Sequence, residues 1–108
     1  MQFLVVGFDG KDDDAAARRE NARPAHESLG DQLLASGDLW YAAEIENENG
    51  DVIGSMRLVD FDNEAGLQDW LTREPYITSD VWQSVHKHAC RVRDPWQFSR
   101  PEEFFASR

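Results

Sequence analysis

Residues 2–8, Gln-Phe-Leu-Val-Val-Gly-Phe, form an apolar, β-branched and aromatic run that Asp9-Gly10 ends with turn chemistry. Such a run predicts a buried strand. Asp12, Asp13 and Asp14 then offer caps for a helix and suit its positive end. The helix runs to about Ser36, and Gly37 stands where a C-terminal glycine belongs. Pro24 interrupts it, which predicts either a kink or a restart with Pro24 in the first turn. Residues 38–46 and 52–61 read as two further strands. Asn47-Glu48-Asn49-Gly50 between them is a hairpin signal, since Asn and Gly tolerate positive φ. Asp62 is placed to cap a second helix whose Leu67, Trp70 and Leu71 share one face. That helix stops before Pro75. A loop with one helical turn near 79–83 leads to a last strand at about 84–93.

The order β-α-β-β-α-β predicts an α+β, ferredoxin-like split arrangement: a four-stranded antiparallel sheet with both helices on one face. The other face is left bare, which points to a homodimer, formed face to face or by edge pairing. The basic unit occupies residues 1–94. Residues 95–108 form a tail whose Trp96, Phe98, Phe104 and Phe105 would be a liability if exposed. The tail is expected to wrap a partner subunit or to lid a pocket, partial disorder beyond about residue 100 being the alternative.

Composition narrows the function. The 41% apolar content suffices for one core in 108 residues but leaves little margin of stability. A formal charge of −10, with no basic block interleaved with aromatics, argues against nucleic acids and anionic lipid surfaces. The N-terminal run is too short for a signal segment, and no apolar stretch nears the roughly 20 residues of a membrane helix. A cytoplasmic location is the default. The lone Cys90 rules out an internal disulfide and a multi-cysteine metal cage.

Candidate chemistry gathers on the first helix. Arg19, Arg23 and His26 are spaced i, i+4, i+7, and Leu29 and Leu33 continue that face. Two guanidinium groups on a core-facing stripe must either swing out or border a cavity that holds acceptors. The cavity reading predicts a small polar or anionic ligand. His26 can serve there as a general acid or base, the plainer alternative being a satisfied structural histidine. Its orienting carboxylate is one of Asp9, Asp38, Glu44 and Glu74. His86 and His88 alternate onto one face of the last strand with Cys90, but no third metal ligand can be named. Trp40, Tyr41, Trp70, Tyr76 and Trp82 read mainly as packing; Tyr76 and Trp82 flank Glu74 and can wall a flat ligand.

Arg23-Pro24-Ala25-His26, then Leu33-Leu34 and Gly37-Asp38-Leu39, resembles the helix-to-strand stretch of the YciI-like (YCII-related) proteins. Arg19 matches an arginine four residues before that Arg-Pro. Phe8-Asp9, Gly54-Ser55 and Trp70 followed by Glu74-Pro75-Tyr76 are similar to further family motifs, in order over residues 2–93. The resemblance implies a ferredoxin-like fold, a dimeric α/β barrel and a pocket with a His/Asp pair. Some members are lyases that eliminate hydrogen chloride from chlorinated aromatics. Here Glu74 replaces the usual Asp, and Ala42-Ala43-Glu44 replaces a Gly-Pro, adding an acid near the pocket. These observations lead to a lyase or isomerase in which His26 is the base, Glu74 orients it, and Arg19, Arg23, Ser55 and Tyr76 bind substrate. No cofactor or metal is implied, as glycine-rich phosphate fingerprints are absent. The alternative is a non-catalytic dimeric binding or accessory module built on the same pocket.

Overall fold

The computed structural model describes residues 1–93; the expectations about the aromatic tail lie outside them. Strands β1 (Gln2–Asp9), β2 (Leu39–Glu46), β3 (Val52–Asp60) and β4 (Trp82–Cys90) form one antiparallel sheet in the order β2-β3-β1-β4. Helices α1 (Ala15–Ser36), α2 (Glu64–Arg73) and the single turn α3 (Pro75–Thr78) complete the unit. This is the ferredoxin-like arrangement that the element order predicts.

Alternation along β1 sets the layers. Phe3, Val5 and Gly7 are buried, while Leu4 and Val6 are only partly covered and Phe8 is exposed. The first set meets Val59, Arg57 and Ser55 across the β1–β3 ladder; the second meets Leu58, Met56 and Gly54. The helix-side layer joins Phe3, Val5 and Val59 to Leu33, Leu39, Leu67 and Trp70 in one apolar cluster. A smaller cluster of Ala22, Tyr76, Val81 and Trp82 sits at the opposite end of β1, and the functional side chains collect there.

Helix α1 is a single element through Pro24, with no restart. Pro24 sits on the exposed side, where its ring displaces no packing and the carbonyl it leaves unpaired can meet water. At the far end Gly37 takes φ +82°, and Gly37 and Asp38 donate to the carbonyls of Leu34 and Leu33, closing the helix as a left-handed cap. None of the three N-terminal aspartates caps by side chain: Asp14 makes no cap bond, and Asp12 instead takes both terminal nitrogens of Arg18 at 2.6 and 2.8 Å.

Three boundaries differ from expectation. Asn63, not Asp62, caps α2, its side chain accepting from Gly66 N at 3.1 Å. The helical turn falls at 75–78 rather than 79–83, because Pro75 presets its first position and Glu74 caps it from the Tyr76 amide. Strand β4 spans 82–90 rather than 84–93. A bulge lets Asp9 pair with Trp82 where regular register would offer Gln83. Trp82 thereby lies on the helix side against Gly7, where a Cβ would come within 2.3–2.8 Å of the indole ring.

Candidate functional site

The buried stripe of α1 is Ala22, His26, Gly30 and Leu33. It places the His26 ring, 6% exposed, between the helix and the end of the sheet. Glu74, fully buried, comes to it from the α2–α3 junction, where a β-region backbone (φ −63°, ψ 117°) turns the chain between two helices. His26 Nδ1 hydrogen-bonds Glu74 Oε1, and Trp70 Nε1 donates to Oε2 at 3.1 Å. The Tyr76 amide also donates to Oε1, at 3.2 Å. Of the four candidate carboxylates, Glu74 is therefore the partner of His26. Its extra methylene is absorbed by its place at the junction.

The second imidazole nitrogen is also taken. Arg57, 6% exposed on β3, brings its NH2 to 2.6 Å from Nε2. A guanidinium only donates, so Nε2 accepts and the ring proton lies on Nδ1, pointing at Glu74. The chain Arg57–His26–Glu74 thus lets a buried cation and a buried carboxylate offset each other through one ring. Room for Arg57 comes from Gly30, where a Cβ would stand 3.0 Å from NH1. That NH1 is buried without a hydrogen-bond partner, and burial lowers the Arg57 pKa despite the opposing pull of Glu74.

Tyr76 joins this core to the surface. Its ring stacks on His26 with centroids 3.6 Å apart and planes 5° from parallel, and Trp82 meets both rings edge-on at 5.7 and 5.8 Å. The guanidinium of Arg19 lies 4.8 Å from the Tyr76 centroid, a cation–π contact. Burial raises the phenol's pKa, with Arg19 pulling the other way.

Beyond Arg19 opens a cleft of about 1300 Å³ between the start of α1, the end of β1 and the β2–β3 hairpin. Arg19 is its floor: Nε holds Asp9 Oδ2 at 2.7 Å, while NH2 reaches Ser55 Oγ at 2.7 Å and Gly54 O at 3.0 Å. Ser55 is in turn 3.3 Å from Trp82 Nε1. Glu44, an acid outside the family's pattern, also lines the cleft and lies 4.0 Å from Arg19.

The structure therefore brings together five of the six candidate residues: His26, Glu74, Tyr76, Arg19 and Ser55. Arg23 does not turn in toward His26 but lines the outer cleft beside Arg19. Its side chain is 44% exposed at the edge of the buried stripe and pairs with Glu20, Glu27 and Glu44 at 3.2–3.6 Å. Those carboxylates raise its pKa. Arg57 was missed from sequence; its signal was a cation at the same parity as Ser55 and Val59 inside an apolar strand, facing a mid-helix glycine. His86 and His88 pair with Val6 and Leu4 on the face away from the helices, and His86 stands edge-on to Phe8 at 6.0 Å. Among the described residues no three potential ligands gather around a metal position, and no helix is long and apolar enough to cross a membrane.

Fold and site together define a ferredoxin-like α+β domain with a buried histidine–carboxylate pair behind an acid-lined cleft. The chain belongs to the YCII-related domain family, whose model matches residues 1–86. Among solved structures it is similar to 5-chloro-2-hydroxyhydroquinone dehydrochlorinase (TftG) from Burkholderia phenoliruptrix AC1100, in complex with 2,5-dihydroxybenzoquinone. The TM-score is 0.72 at 14% identity, over 84% of this chain and 94% of the other. That likeness carries the fold. No curated protein matches the sequence.

Proposed function

We propose that this protein is a small-molecule enzyme of the lyase or isomerase kind, in which the His26–Glu74 pair moves a proton to or from a ligand entering by the cleft. The observation that carries this reading is the Nδ1 hydrogen bond to Glu74. A base needs its second nitrogen held so that the first presents a lone pair, and a buried carboxylate does this while stabilising the imidazolium that forms. The lone pair on Nε2 becomes available when Arg57 turns away. Arg57 already carries one unpartnered N–H, so an acceptor brought by the ligand would favour that movement. Arg19 supplies a cation on the cleft wall, with the buried Tyr76 ring between it and His26; Ser55 holds Arg19 in place.

The named activity of the similar dehydrochlorinase offers a substrate to try. Eliminating hydrogen chloride from 5-chloro-2-hydroxyhydroquinone requires a proton to leave, which His26 can take. The wild-type protein is expected to release chloride from it. His26→Asn, which still offers Glu74 an N–H, should lower kcat by about 100-fold or more. Chloride release unchanged in that variant would remove His26 from the chemistry.

A second reading rests on the Arg57 bond to Nε2, which leaves the imidazole no free nitrogen. On it the domain is a non-catalytic binding module. It would be supported if 2,5-dihydroxybenzoquinone shifted the NMR signals of Arg19 and Tyr76 while no chloride appeared. On either reading a homodimer is proposed, formed by the sheet face that no helix among the described residues covers.

A further inference from the structure

The arginines that seemed to call for an anion are already neutralised. Arg19 holds Asp9 and lies near Glu44, and Arg23 is ringed by Glu20, Glu27 and Glu44. Counted along the cleft wall, six carboxylates (Asp9, Asp12, Asp13, Glu20, Glu44 and Asp51) face three cations, Lys11, Arg19 and Arg23, and a fourth, Arg18, is paired with Asp12. The field in the opening is therefore negative, within a protein of formal charge −10, and an anion entering it would be repelled.

Asp9 adds a second, independent observation. Its side chain is 92% buried, being 8% exposed, yet only Oδ2 is engaged. Oδ1 is buried with no donor at all. A carboxylate oxygen shut away from water loses its hydration without replacement, at a cost comparable to a lost charged hydrogen bond. Such an oxygen is satisfied by a ligand that brings an N–H. Phe8, Val52 and Ile53 line the same cleft with apolar surface, suited to the body of that ligand.

We propose that the cleft takes a small organic cation, a primary ammonium on an apolar body, whose N–H groups bond Asp9 Oδ1 as the carboxylate turns that oxygen to the cleft. The ammonium completes the hydrogen bonding of a buried acid, and the surplus of carboxylates around it raises its local concentration. This rests on the cleft being the ligand site and not on His26 acting as a base. It separates the chain's preferred ligand from the 2,5-dihydroxybenzoquinone named for the similar dehydrochlorinase, which carries no N–H.

The test is an NMR titration of the full chain with three probes of one shape: benzylammonium, benzyl alcohol and benzoate. Benzylammonium is expected to shift the backbone amides of Gly10, Arg19 and Ile53 saturably, and about tenfold more tightly than benzyl alcohol. Its affinity should fall with added salt, while that of benzyl alcohol should not. Benzoate should leave those amides in place. Asp9→Asn should weaken benzylammonium by about tenfold or more, and Glu44→Gln, which leaves Asp9 untouched, by two- to threefold. The spectrum of each variant reports its own folding. Benzoate binding as tightly as benzylammonium, or Asp9→Asn binding it as the wild type does, would overturn the proposal. Benzyl alcohol shifting the same amides as strongly would overturn the charge assignment while keeping the cleft as the ligand site. Silence of those amides toward all three probes would sink both.

Discussion

Glu74 shows how much one side chain can organise. It accepts from the His26 ring, the Trp70 indole and the Tyr76 amide, none of them exposed to water. Replacing it with Gln keeps the shape but turns an N–H toward a donor. Glu74→Gln should cost about 2 kcal/mol, the penalty of a buried polar group left facing a like one, read by urea unfolding. Asp12 is a contrasting case at the surface. Its bond to Arg18 lowers its carboxyl pKa from 3.8 to about 2. A depressed acid contributes stability above the unfolded value, and loses it as pH falls through the folded one. Its share is thus complete above about pH 4 and gone below about pH 2. A ¹³C carboxyl titration should put Asp12 near 2 in the wild type and near its ordinary value in Arg18→Ala. Sequence at this scale located His26 and Glu74 but not the bond to Arg57, because a cation in a strand carries no mark of the ring it will meet from another element.

At the scale of elements, the alternation of β1, the Asn47–Gly50 hairpin and the Gly37 stop are local chemistry, so residue order alone revealed them. Gly50 takes the positive φ of +83° its position in the turn requires. Asn47 Oδ1 accepts from the amides of Asn49 and Asp51. The start of β4 was not legible, since the indole's place over Gly7 and its bond to Ser55 are long-range. Gly7→Ala tests that packing. The methyl has no space beside the Trp82 ring, and overpacking of this kind should cost about 3 kcal/mol. Lower unfolding midpoint and altered tryptophan fluorescence should appear together. Gly30→Ala is a milder probe. Its methyl gains helix propensity of about 1 kcal/mol but presses on Arg57 from 3.0 Å. Stability should change little while the Arg57–His26 bond loosens, seen as a shift of the His26 ring resonances.

At the scale of the molecule, the helices among the described residues cover one side of the sheet only. On the opposite side Leu4, Val6 and Phe8 run alongside Met56 and Leu58 of β3 and His86 and His88 of β4. Phe8 is 36% exposed in the single chain. An apolar strip of that kind on a small domain favours burial against a second copy. Light scattering should give twice the chain mass for the wild type. Val6→Lys, placed in mid-strip, should give monomers. A monomeric wild type at high micromolar concentration would remove the dimer proposal.

The β4 bulge at Gln83 carries a consequence out of proportion to its size. A strand is a two-sided ribbon in which each successive residue swaps sides, so one surplus residue acts as a phase shift for everything before it. Were the intact strand to pair without the bulge, Gln83 would face Asp9 and Trp82 would turn to the other side of the sheet, out from above His26 and Tyr76. The aromatic box would lose a wall and Ser55 a donor, with the rest of the sheet still paired. The wall of the site is set by one surplus residue that the ladder steps over, and deleting Gln83 would leave Trp82 opposite Asp9 with its place kept.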